Sequence, residues 1–129
     1  MVSEADQHVV LVVEDDQGCI ELITELVEDL GHPVITCSSV EDAIRILSER
    51  PVSLVILDVM LPDGDGFSVL ASIRTNPSIR TLPVILCTAA LFEVTAFDKP
   101  VDDPLTEIVA KPFHIESFMR VLPQVVEEL

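Results

Sequence analysis

Reactive side chains in this sequence stand where apolar runs end. Glu14 and Asp15 follow the run from Val9 to Val13, Asp58 follows Leu54 to Leu57, Thr88 follows Val84 to Cys87, and Lys111 follows Ile108 to Ala110. If those runs are strands of one open parallel sheet, all these residues lie at its carboxyl edge, where such sheets bind ligands. The convergence then joins three carboxylates, a hydroxyl and an ammonium. Clustered carboxylates repel one another, and a hard divalent cation with oxygen ligands makes such a cluster tolerable. Magnesium suits the set, because it is usually held by one or two carboxylates together with waters and phosphate oxygens, and the lysine adds a point charge for a phosphoryl group.

The elements that must position these residues can be read from hydrophobic periodicity. Val9 to Val13 is a continuous β-branched-rich run, as expected of a strand covered on both faces. Ile20, Ile23, Leu26, Val27 and Leu30 recur at helical spacing opposite Glu21, Glu25, Glu28 and Asp29, with Gly31 as the stop. Val34 to Cys37 reads as the next strand, Ser39 to Arg50 as a helix opened by Ser39-x-x-Asp42, and Leu54 to Leu57 as a buried strand. Pro33 and Pro51 punctuate the joins. A tight acidic turn at Asp63-Gly64-Asp65-Gly66 leads to a short helix with Phe67, Leu70 and Ile73, then to strands at Val84 to Cys87 and Ile108 to Ala110. A final helix places Ile115, Phe118, Met119, Leu122, Val125 and Val126 on one face, interrupted by Pro123. Alternating strands and helices require crossover connections, and so a parallel sheet with helices on both sides.

Composition narrows the function classes. The 129 residues are 49% hydrophobic, enough for one domain with a real core. A net charge of -16 disfavours gripping nucleic acid or an anionic membrane. Cys19, Cys37 and Cys87 show no metal or redox spacing and read as reduced thiols, and the start carries neither a signal peptide nor a membrane-length apolar run. A cytoplasmic protein is expected.

Val-Val-Glu-Asp-Asp, Leu-Asp-Val-Met-Leu-Pro-Asp-Gly-Asp-Gly, Pro-Val-Ile-Leu-Cys-Thr-Ala and Ala-Lys-Pro-Phe resemble, in order and approximate spacing, the signatures of the receiver domains of bacterial two-component response regulators. The resemblance runs from about Val9 to the C-terminus. It implies a flavodoxin-like (βα)5 fold, a three-layer sandwich on five parallel strands in the order 2-1-3-4-5. Residues 1–129 would form a single receiver domain with about 1–8 as a tail and no effector domain in this chain. The resemblance makes Asp58 the phosphoacceptor. Magnesium would be held by Glu14, Asp15, Asp58 and the backbone carbonyl of Met60, and Thr88 and Lys111 would contact the phosphoryl oxygens. The implied donor is a sensor histidine kinase or histidine phosphotransfer protein, and the implied output is a conformational switch acting on a further protein, with a homodimer as an option. Such a domain is a signalling switch, catalysing only its own phosphorylation and dephosphorylation.

Plainer roles account for the neighbouring residues. Asp16 occupies the place of a helix N-cap and is left out of the metal site. Asp63 and Asp65 lack the twelve-residue calcium-loop pattern, and His8, His32 and His114 have no ligand spacing. The chain also departs from the family. Ile108 stands where receivers commonly carry a switching aromatic, and Asp98 to Pro104, with two prolines, replaces the usual Gly-Ala before the last strand. An atypical output surface is therefore expected, with Leu91, Phe92, Val94 and Phe97 packed locally. Two other readings are a pseudo-receiver that binds partners without phosphorylation and a magnesium-dependent aspartyl phosphohydrolase like the haloacid dehalogenases. The latter needs a second aspartate where this chain has Met60.

Overall fold

A computed structural model of the chain describes residues 8–88 and 105–110, with only the backbone of Thr88 and Ala110. The strands are β1 (Val10–Val13), β2 (Val34–Cys37), β3 (Leu54–Asp58), β4 (Met60–Leu61), β5 (Gly64–Asp65), β6 (Val84–Thr88) and β7 (Thr106–Ala110). The helices are α1 (Gln17–Asp29), α2 (Val40–Glu49) and α3 (Gly66–Thr75). Five strands form one parallel sheet in the order β2-β1-β3-β6-β7, while β4 and β5 pair antiparallel as a separate hairpin. The spatial order is therefore the expected 2-1-3-4-5, with the hairpin inserted after the third strand. The final helix and residues 89–104 expected from the sequence lie outside the described residues.

The continuous apolar runs divide between two cores because successive side chains on a strand point to opposite faces. Leu11, Val13, Val55, Leu57, Val84 and Leu86 pack with Ala43 and Ile46 of α2 and Val69, Leu70 and Ile73 of α3. Val10, Val12, Leu54, Ile56, Ile85 and Cys87 pack on the other face with Ile23 and Val27 of α1. Each such fully buried aliphatic side chain contributes about 1.5–3 kcal/mol relative to its exposed state. The edge strand β2 is only partly buried, as its mixed sequence Val-Ile-Thr-Cys requires.

Helix boundaries follow local chemistry. Asp16 caps α1 by accepting from the Cys19 N–H at 2.9 Å, and Gly31 turns the chain away at φ 89°, where a glycine is favoured. Ser39 caps α2 through the Asp42 N–H at 3.1 Å, and Asp65 caps α3 through the Ser68 N–H at 3.0 Å. Arg74 at the end of α3 donates to the carbonyls of Arg80 and Leu82 and to the buried Thr106 hydroxyl, tying α3 to β7. Ile108, the position of the missing aromatic, is partly buried against the α2/α3 core.

Candidate functional site

Three of the expected site residues come together. Glu14 directly follows β1, and its N–H donates to the Cys37 carbonyl at 3.0 Å, which pins the end of β1 to that of β2. Asp58 is itself the last residue of β3, paired in register with Cys87 of β6. Glu14 and Asp58 are 2% and 7% exposed, whereas Asp15 is exposed, and each of the three offers a carboxylate oxygen within 4.8 Å of the others. The cluster thus has buried walls and one open side.

Hydrogen bonds orient these carboxylates. The Asp15 N–H donates to Glu14 Oε2 at 3.2 Å, and the Met60 N–H approaches Asp58 Oδ1 at 3.4 Å. The Val59 N–H donates to the Cys87 carbonyl at 3.1 Å, so the chain leaving Asp58 stays attached to β6 for one further residue. It then folds into the β4–β5 hairpin, closed by the Gly66 N–H donating to the Val59 carbonyl at 2.7 Å. A Cβ on Gly66 would lie 2.3 Å from the Asp58 carbonyl oxygen, so the start of α3 approaches Asp58 closely enough to demand glycine. The Met60 side chain is 68% exposed beside the site.

The Cys37 thiol at the end of β2 is pushed up to about 11, first by burial and further by the Asp42 and Asp63 carboxylates, against the Ser39 backbone and Arg45. It is therefore a neutral group near neutral pH. The oxygen-only donor set, closed on two sides and open at Asp15, fits a hard divalent cation that keeps part of its water shell.

Of the other expected site residues, Thr88 ends β6 opposite Ala110 in the sheet register, which puts its backbone at the carboxyl edge; its side chain lies outside the described residues, as does Lys111. Asp16 and Asp65 serve as helix caps, as their positions imply. The sequence reading missed the hairpin and the use of Asp63, whose carboxylate accepts from the N–H groups of Val40 at 2.8 Å and Glu41 at 3.1 Å. Those donors are 23 and 22 residues away, beyond any local motif; only the turn residues Asp63-Gly64 hinted at a tight reversal.

A parallel sheet in this order, with helices on both faces and an acidic cluster at its carboxyl edge, defines a flavodoxin-like α/β protein of the kind built around a carboxyl-edge site. The chain belongs to the response regulator receiver domain family, matched over residues 10–122. Receiver domains are the signalling switches of two-component systems, and accepting a phosphoryl group is their general function. Similar proteins include the transcriptional regulatory protein GltR of Pseudomonas aeruginosa, 38% identical over 112 residues, covering 84% of this chain and 45% of GltR. "Probable chemotaxis protein CheY" of Rhizobium etli is 30% identical over 125 residues and matches 96% of each chain. The receiver domain of the sensor histidine kinase PA1611 from Pseudomonas aeruginosa PAO1, solved with magnesium coordinated in its active-site cleft, superimposes with a TM-score of 0.79. It is 25% identical, and the match covers 94% of this chain and 98% of that domain. The chain thus spans about half the length of GltR and nearly all of the CheY protein. Among the described residues, no helix is long and apolar enough to cross a membrane.

Proposed function

We propose that Asp58 is the phosphoacceptor of this receiver domain and that Glu14, Asp15, Asp58 and the Met60 carbonyl hold a magnesium ion. The observation that carries this reading is the approach of the three carboxylates to within 4.8 Å, two of them buried, at the end of β1 and β3. The donor would be a phosphohistidine of a sensor kinase or phosphotransfer protein. One oxygen of Asp58 attacks phosphorus in line, an O–P bond forms as the P–N bond breaks, and the imidazole leaves with its electron pair and takes up a proton. When bound, magnesium offsets the charge gathering on the transferring oxygens. Lys111 pairs with one of those oxygens and Thr88 hydrogen-bonds another, which reports the phosphoryl group to the rest of the fold. Attack of water on phosphorus releases inorganic phosphate and restores Asp58. Residues 1–129 act as one receiver domain, in the cytoplasm, on a downstream protein rather than directly on nucleic acid.

The test is intact mass after incubation with acetyl phosphate and magnesium, beside Asp58→Asn and a chelator control. A gain of one phosphoryl group that requires both Asp58 and magnesium is expected. A folded chain that gains nothing overturns the proposal in favour of a pseudo-receiver, the reading that the divergent stretch from Asp98 to Pro104 favours.

A further inference from the structure

The hairpin that follows Asp58 touches the molecule at both of its ends. At its base, the Gly66 N–H closes on the Val59 carbonyl and the Met60 N–H faces Asp58 Oδ1. At its tip, the Asp63 carboxylate spans two N–H groups at the start of α2, with Oδ1 on Val40 and Oδ2 on Glu41. The contact is close: a Cβ at Gly64 would lie 3.3 Å from Val40 Cγ2. Between base and tip, the register pairs Met60 with Asp65 and Leu61 with Gly64, leaving few free backbone torsions. A two-stranded ribbon this short has no stability of its own. Its geometry is therefore set by what it packs on: Leu61 is buried in the α2/α3 core, and the tip is hydrogen-bonded to α2 through the Asp63 carboxylate.

The first turn of α2 has two independent caps. Ser39 accepts from the Asp42 N–H within the helix's own sequence, and Asp63 satisfies two earlier donors from across the fold. Both stabilise α2, but only Asp63 joins the helix to the segment carrying Met60. A carboxylate at a helix N-terminus is doubly favoured, by hydrogen bonds to otherwise unpartnered N–H groups and by the helix dipole.

We propose that Asp63 is a positioning residue for the metal site: by clamping the hairpin tip to the start of α2 it fixes the Met60 carbonyl relative to Glu14 and Asp58. This rests on the reading of Met60 as a metal ligand given above. The affinity for magnesium thereby depends on a side chain that never touches the ion, as supporting partners of metal ligands generally do.

The chain has no tryptophan or tyrosine to report binding by fluorescence, so magnesium alone is titrated calorimetrically into the full chain and its variants. Asp63→Ala is expected to weaken magnesium about tenfold, the lower end of the range for supporting partners of ligands. Ser39→Ala removes the other cap of the same helix and is expected to lower the melting temperature without changing magnesium affinity. Asp63→Asn keeps one oxygen acceptor and is expected to fall between Asp63→Ala and the parent. Amide hydrogen exchange without metal supplies a second measurement: Asp63→Ala should speed exchange at Val40, Glu41 and the hairpin-closing amide of Gly66, and Ser39→Ala at Asp42 but not Gly66. Equal magnesium affinity in parent and Asp63→Ala, or an equal loss in Ser39→Ala, overturns the clamp while leaving the metal site standing. A parent chain that binds no magnesium overturns the metal reading itself and the role of Asp63 in it, whatever the exchange rates.

Discussion

Among the described residues, the chain crosses from strand to helix beside Glu14 and beside Asp58, in two different ways. From β1 to α1 the path is direct: Glu14, Asp15 and Asp16 fill the gap, and the last of them caps the helix it enters. From β3 to α3 the chain detours through the β4–β5 hairpin, then returns so close to its starting point that Gly66 nearly touches the Asp58 backbone. The first crossing is tied to β2 once, where the Glu14 N–H meets the Cys37 carbonyl, and is otherwise held by near neighbours in sequence. The second is held at a distance, through the Cys87 carbonyl of β6 and the two amides of α2. The same edge of the sheet thus carries one carboxylate pair set by strand pairing and near neighbours and one carboxylate whose following loop depends on contacts with β6 and α2.

The sharpest way to break that comparison is to make the same substitution at the start of each helix. At Gly66, a methyl group would sit 2.3 Å from the Asp58 carbonyl oxygen and 3.1 Å from Val59 Cα, both backbone atoms that cannot step aside alone. Replacing glycine by alanine in a helix gains at most about 1 kcal/mol, less in the first turn, whereas forcing a methyl group into closed space costs about 1–3 kcal/mol. Gly66→Ala should therefore lose about 2 kcal/mol in urea denaturation and also lose magnesium binding, because relief of the clash moves the Asp58 loop. At Gly18, the methyl group would meet only Asp16 Oδ1 at 3.3 Å. Gly18→Ala should accordingly change stability little. Similar losses at the two sites would show that the hairpin is as adaptable as the direct crossing.

The caps sharpen the contrast at a smaller scale. Asp16→Ala and Asp65→Ala each remove a carboxylate that accepts from the third residue beyond it, and each should lower stability by about 1 kcal/mol. Their effects on the site should differ. Asp16 belongs to the direct crossing, where the register of β1 against β2 and β3 already holds Glu14, so its loss should leave magnesium affinity unchanged. Asp65 is the last residue of the hairpin as well as the cap of α3, so loss of its carboxylate loosens the junction that holds the strand opposite Met60 and should weaken magnesium as well as α3. Calorimetric titration of both variants checks this, and a matching response to magnesium would sink the distinction.

The same division decides what could be read from the sequence. The five principal strands, the caps Asp16 and Ser39, and the Gly31 stop rest on periodicity and on hydrogen bonds that span three residues or fewer, whereas the strand order was implied by the resemblance to receiver domains. The trio of Glu14, Asp15 and Asp58 was legible because a parallel sheet forces strand ends to one edge. What was read as a plain acidic turn is a paired hairpin, since β-pairing of two-residue strands carries no periodicity to detect. Strands β6 and β7 also extend past their apolar runs: Thr88 continues β6, while Thr106 and Glu107 open β7, because backbone pairing with a neighbour does not require an apolar side chain. The clamp by Asp63 could not be anticipated, because an aspartate before glycine in a turn looks the same whether or not a helix start lies within its reach.

The smallest expected effect concerns charge at that clamp. The Val40 and Glu41 N–H groups hold the Asp63 carboxyl below the usual carboxylate range. The folded chain therefore takes up this proton at lower pH than the unfolded chain does. The stability contributed by the ionised group is complete above the ordinary aspartate value of about 3.9 and is lost as pH falls through the lower, folded-state value. Because Asp63 is fully exposed and salt screens it, only a shallow dependence is expected. The measurement is the difference in melting temperature between the parent and Asp63→Asn from pH 7 to pH 3, a difference in which contributions from every other carboxylate cancel. It should be flat down to about pH 5 and shrink below about pH 4, where the aspartate ceases to differ from the amide in charge. A difference that stays constant to pH 3 would mean that the carboxylate's charge does nothing at the start of α2. The hairpin would then be held there by the shape of the contact alone, as the direct crossing is held by its sequence.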